Sequence, residues 1–95
     1  MKVRYTLRAA EELDQVLSYI DERSPGGARH VKARIQAMLE LIALHPSAGQ
    51  LTSKRSLRRV VVYPYPYLIF YSASDDEVII HGVRHAARRP SSMPE

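Results

Sequence analysis

The chain has 95 residues, 14 Lys+Arg against 10 Asp+Glu, and no cysteine. That length supports one domain with one modest core. The missing thiols exclude disulfide frameworks, zinc-thiolate centres and thiol nucleophiles, and suit a reducing, cytoplasmic setting. No apolar run approaches the roughly 18 residues of a membrane span, and Met1 to Arg4 leads straight into an alternating segment, so neither a membrane anchor nor a signal peptide is expected.

In chain order, Val3, Tyr5 and Leu7 alternate with polar residues, the period of a half-buried strand. Thr6 offers a hydroxyl cap for a helix, and Glu11 and Glu12 are expected to favour its N-terminal dipole. Ala9, Leu13, Val16, Leu17 and Ile20 form one apolar stripe on that helix. Ser24-Pro25 opens a second helix with a capping hydroxyl and a proline where no N–H is needed. Its stripe is Ala28, Val31, Ile35, Met38, Leu39 and Ile42, and Pro46 ends it. The short connection predicts a helical hairpin.

Beyond a polar loop the period changes. Three cores rich in β-branched and aromatic residues follow, Val60 to Val62, Leu68 to Phe70 and Val78 to Ile80, separated by turn signals at Pro64-Tyr65-Pro66 and Ser74 to Glu77. They predict an antiparallel meander from about Arg58 to Arg84. The expected fold is α+β, ordered β-α-α-β-β-β, with the hairpin packed on a small antiparallel sheet. The domain should cover residues 1–89, leaving 90–95 as a flexible tail. Consecutive apolar residues point to both faces of a sheet, and two helices cover only one. Some of Val60, Val62, Leu68, Phe70, Ile79 and Val83, or else their opposite-parity neighbours, are therefore expected to be exposed as a protein-binding patch.

The cations are uneven. Residues 1–50 carry seven basic and six acidic side chains, whereas residues 51–95 carry seven against four, so an acidic partner would meet the second half. Two clusters stand out. Lys54, Arg55, Arg58 and Arg59 precede one strand, and Arg84, Arg88 and Arg89 follow another. In a three-stranded meander the outer strands run parallel, which puts these clusters at opposite ends and excludes one compact phosphate site. His85 among the arginines is open to two readings, a general acid or base or a hydrogen-bonding fixture. With His81, His30 and His45 the only other histidines, neither a metal nor a cofactor is expected. Tyr63, Tyr65, Tyr67 and Tyr71 could stack on bases, but half-buried strand residues are the simpler reading. No paired carboxylates, Ser-His-Asp spacing or Gly-rich phosphate loop is present.

Three stretches resemble the RelE/ParE superfamily of bacterial type II toxins, in its ParE-like branch. They are Tyr5 to Leu13, Ser24-Pro25 through His45-Pro46, and Tyr67-Leu68-Ile69-Phe70-Tyr71 followed by Asp75-Asp76 and Val83-Arg84-His85-Ala86-Ala87-Arg88. The resemblance implies a toxin neutralised by a cognate ParD-like antitoxin with an acidic C-terminal segment. DNA would be contacted only indirectly, through the antitoxin. The RelE type uses a strand arginine where this chain has Leu68, and a C-terminal tyrosine that the Arg89-Pro90-Ser91-Ser92 tail lacks. The resemblance therefore implies a ParE-like poison of DNA gyrase without chemistry of its own. The alternatives are a ribosome-dependent mRNA endoribonuclease using Arg84, His85 and Arg88, or a non-toxic chain that only binds its antitoxin. The residues expected to contact target or antitoxin are Arg58, Arg59, Tyr71, Arg84, His85 and Arg88. Arg84 and Arg88 are expected to be solvated, so that reversing their charge would spare the fold.

Overall fold

The structure, a computed structural model, describes residues 1–87. Its elements are β1 (Lys2–Tyr5), α1 (Leu7–Arg23), α2 (Pro25–Leu44), β2 (Gln50–Leu51), β3 (Arg58–Val61), β4 (Tyr67–Ala73) and β5 (Glu77–His85). The expected Arg88 contact, Arg89 and the tail 90–95 lie outside the described residues.

The helix boundaries follow from side-chain caps. Thr6 Oγ1 accepts from the Ala9 N–H at 3.0 Å, and Ser24 Oγ accepts from the Gly27 N–H at 3.2 Å. Ser24 also ends α1, donating its own N–H to the Ile20 carbonyl at 2.7 Å. One residue therefore closes one helix and opens the next, and so short a link holds α1 against α2 as a hairpin. Because α1 begins at Leu7, Glu11 and Glu12 fall in its second turn, and its first turn holds no acid. The dipole role expected for them is corrected on that ground, since the effect fades beyond the first turn.

The sheet has five strands in the order β1-β5-β4-β3-β2. The meander is present, with Arg58 opposite Tyr71 and Tyr67 opposite His85. Two features correct the purely antiparallel sheet. The first strand joins it parallel to β5, Lys2 to Tyr5 beside Glu77 to Ile80. A two-residue strand, β2, also pairs with the start of β3. The β4–β5 register slips between Phe70 and Tyr71, which face Gly82 and Ile80 and leave His81 as the bulged residue. A bulge shifts parity by one. Val78, Ile80 and Val83 consequently all join the core under the helices, with Val31, Ile35, Met38 and Ile42 of α2.

The bulge and the loops also cover much of the apolar excess. Val62, Phe70 and Val83 are buried, and Val60, Leu68 and Ile79 are half-buried. Among the sheet strands and their turns, the most open apolar side chains lie toward one edge instead: Leu51 (65%), Val61 (48%) and Tyr63 (73%). The expected patch is therefore smaller and displaced toward β2 and β3. No helix among the described residues is long and apolar enough to cross a membrane.

Candidate functional site

The parallel pairing of β1 with β5 stops at Tyr5 and Ile80. The chain then turns into α1, with the Thr6 N–H still donating to the Ile80 carbonyl at 3.0 Å. Beyond that point the edge of β5 has no strand beside it, and a side chain takes the place of one. Glu12 Oε1 accepts from the Val83 N–H at 3.1 Å, and its Oε2 accepts from Arg84 Nε at 2.9 Å. Arg8, one helical turn earlier, lies 3.7 Å from the same Oε2. Glu12 thus satisfies an edge donor that would otherwise be unpaired, and it anchors an arginine that is only 4% exposed.

Above this pair is a cavity of about 430 Å³ between α1 and the end of β5. Glu12, Gln15, Val16 and Tyr19 line it from the helix, and Tyr67, Val83, Arg84 and His85 from the sheet. Tyr67 and His85 are cross-strand partners, their rings edge-to-face with centroids 5.5 Å apart. Burial pushes the Tyr67 phenol above its ordinary range, and the neighbouring Tyr19 hydroxyl adds to the shift. Arg23 covers the Tyr19 ring at 3.7 Å, a cation–π contact at the outer wall. The arrangement combines one buried cation, one exposed imidazole and two phenol rings around a space that a side chain could enter.

The other expected residues fall elsewhere. Tyr71 is fully buried, its hydroxyl accepting from the Gly49 N–H and donating to the Pro46 carbonyl, each at 2.8 Å. It ties the loop after α2 to the sheet, so the structure replaces its expected contact role with a structural one. Arg58 has the same task, donating to the Gly49 carbonyl at 2.8 Å and the Ser47 carbonyl at 3.3 Å. Arg59 is exposed and lines a shallower groove with Gln50, Val61 and Leu68, closed at its far end by Ala86. Arg58 is level with Tyr71 and His85 with Tyr67, four residues along β4, or about 13 Å. The structure therefore brings Arg84 and His85 together and holds Arg58 and Arg59 apart from them.

Arg84 itself is a correction, because a buried, ion-paired cation is not the solvated one expected. Gln15 and Tyr19 carried no expectation, and Glu12 only that of favouring the helix dipole. The available signal was positional: residue 12 is three after Ala9 and four before Val16, which sets an acid on the border of the core stripe. On the open face, Ser72 Oγ and His81 Nε2 share a 2.8 Å hydrogen bond, and burial lowers the His81 pKa. No three His, Asp or Glu side chains among the described residues are grouped so as to hold a metal ion.

Comparison with known proteins places the chain. The family model described as the ParE toxin of the type II toxin-antitoxin system, parDE, matches residues 3–90. "Putative toxin Y4kP" of Sinorhizobium fredii is 36% identical over 85 residues, covering 90% of this chain and 88% of that protein. "Toxin RelE2" of Caulobacter vibrioides is 37% identical over 87 residues, covering 92% and 97%. Among solved structures, the "Chromosomal ParDE TA system from P. aeruginosa" superposes with a TM-score of 0.77 at 17% identity, over 90% of this chain and 95% of that one. At that identity the likeness is one of fold.

Proposed function

The chain belongs to the ParE toxin family of type II toxin-antitoxin systems, and from that premise we propose that it poisons DNA gyrase by protein contact and is neutralised by a cognate ParD-like antitoxin. The observation that carries the non-catalytic reading is the state of the cations near the cavity. Leu68 occupies the strand position where the RelE type has an arginine. Arg84, the strand-end cation, is buried against Glu12, and among the described residues no second Lys or Arg lines the cavity to share a phosphate's charge. Among the described residues no solvent-facing cation lines the cavity with His85 to supply the transition-state stabilisation that an RNase draws from such groups. The antitoxin reading is supported by the net charge of +4 and by the exposed apolar edge of Leu51, Val61 and Tyr63. An acidic amphipathic segment complements both.

Purified protein should inhibit gyrase supercoiling or trap the cleaved complex, and leave ribosome-bound mRNA intact. One observation favours the endoribonuclease as a second reading: His85 is exposed at the cavity, edge-on to Tyr67. A His85→Ala variant separates the two. Loss of a proton-transfer residue cuts activity by about 10²–10⁴-fold, whereas loss of a contact residue does far less. Codon-specific mRNA cleavage that vanishes in His85→Ala would overturn the gyrase reading.

A further inference from the structure

Among the described residues, Arg84 is the one buried charged side chain. Its guanidinium carries five N–H donors, of which Nε is used by Glu12, while neither Nη1 nor Nη2 has a hydrogen-bond partner and neither meets solvent. Buried donors on a cation are costly to leave unmatched, and natural sites that keep them do so for a reason beyond packing. With Nε turned to Glu12, the edge formed by Nη1 and Nη2 is what the arginine still offers, two parallel N–H groups at the spacing of one carboxylate's oxygens.

We propose that the cavity beside Arg84 seats one carboxylate side chain of an acidic protein partner, held end-on by Nη1 and Nη2. The local charge fits a single negative group. Arg8 and Arg84 lie within 4.0 Å of Glu12, which leaves one positive charge to be matched. A nucleic-acid backbone brings a charge with every phosphate, and among the described residues no Lys or Arg other than Arg84 lines the cavity. The walls also favour a peptide. Val16, Val83 and the rings of Tyr19 and Tyr67 give an apolar lining, and about 430 Å³ holds a whole acidic side chain with part of its neighbour. Tyr19 is 55% exposed and Gln15 is exposed as well, and admitting the side chain requires these two wall residues to give way. The inference rests on the antitoxin reading only for the identity of the partner.

The test uses the full-length, isotope-labelled chain with N-acetylglutamate amide as probe and N-acetylglutamine amide as its neutral isostere, at matched ionic strength. The glutamate probe should shift the Arg84 Nε–H, Val83 N–H and Tyr67 ring resonances saturably, and the glutamine isostere should not. Arg84→Lys keeps the charge beside Glu12 but loses the forked edge, and should weaken the probe roughly tenfold or more. Should that variant unfold, Gln15→Glu supplies the second arm: it sets a like charge at the exposed mouth and should weaken the probe similarly. An equal response to the glutamine isostere, no saturable shift, or tighter binding of inorganic phosphate or a short RNA through the same resonances would each overturn the proposal. The cognate antitoxin separates this result from the wider reading. If it binds wild type and Gln15→Glu equally while the probe fails, the seat falls and the antitoxin reading stands. If the probe binds through Arg84 and no antitoxin complex forms, the seat stands and the antitoxin reading falls.

Discussion

Reversing the charge at Arg84 should unfold the protein before it tests any contact. Arg84 is 4% exposed, and its Nε lies 2.9 Å from Glu12 Oε2, itself on a side chain only 18% exposed. Removing one partner of such a pair leaves an uncompensated charge and costs about 3–5 kcal/mol. Arg84→Glu should exceed that, because it brings two carboxylates together. A domain of this size has roughly 5–15 kcal/mol in all, so either change removes a large share. Arg84→Met and Glu12→Leu should each cost about 3 kcal/mol or more, since each orphans the other side chain. The pair Glu12→Leu with Arg84→Met should cost much less than the sum of the single losses. It removes both charges together with the unmatched η nitrogens, although the Val83 N–H loses its acceptor. Urea unfolding followed by circular dichroism at neutral pH gives the four corners of this cycle. A loss under about 1 kcal/mol for Arg84→Met would mean a solvated arginine and would refute the reasoning.

Three further outcomes follow from particular contacts. Tyr71→Phe strands the buried Gly49 N–H, and urea titration should show a loss of about 1–3 kcal/mol together with faster amide exchange at Gly49. Gly49→Ala should destabilise by roughly 1–3 kcal/mol in the same assay, because its Cβ would meet the Tyr71 hydroxyl at 2.5 Å and the Arg59 carbonyl at 2.9 Å. The His81 pKa is lowered from 6.5 by burial, so the folded state disfavours its protonation. The contribution is complete above pH 6.5 and is lost as pH falls below it, and thermal unfolding of His81→Gln should show a flatter profile between pH 7 and pH 5.

What the sequence disclosed was what local chemistry encodes. Thr6 and Ser24 are caps because their hydroxyls meet N–H groups three residues on, and such motifs are visible in any window of four. The strand cores around Val60, Ile69 and Ile79 read correctly because β-branched runs between turn residues have few alternatives. Pairing across distance is another matter. The parallel docking of Lys2–Tyr5 on β5 joins residues some 75 apart, and nothing in either segment names the other. The bulge at His81 inverted the parity on which the exposed-patch expectation relied, so Val83 turned inward with Ile80. Tyr71 read as a candidate contact, one of four tyrosines between 63 and 71, yet its hydroxyl is spent on Pro46 and Gly49.

The same distinction governs how the charge of this toxin is read. A count of seven cations against four acids in the second half treats every arginine as available to a partner. Arg84 meets Glu12 from 72 residues away, in the first half of the chain, and its Nε is engaged there. Arg58 keeps its charge but aims it at the loop carbonyls of Ser47 and Gly49. Of the expected contact residues that the structure describes, Arg59 and His85 are the ones whose side chains face outward. Arg59 sits in a groove walled by Val61 and Leu68, and His85 at a cavity walled by Val16, Val83 and two tyrosines. Arg59 shares its groove with Gln50, and His85 its cavity with Glu12, Gln15 and Arg84, so each place sets a few polar groups among apolar walls. That composition resembles the core of a protein–protein interface more than a track for a phosphate backbone, which needs cations in series. Recognition by a folded or folding protein partner therefore follows from where the arginines go, and the number of arginines alone would have pointed to nucleic acid.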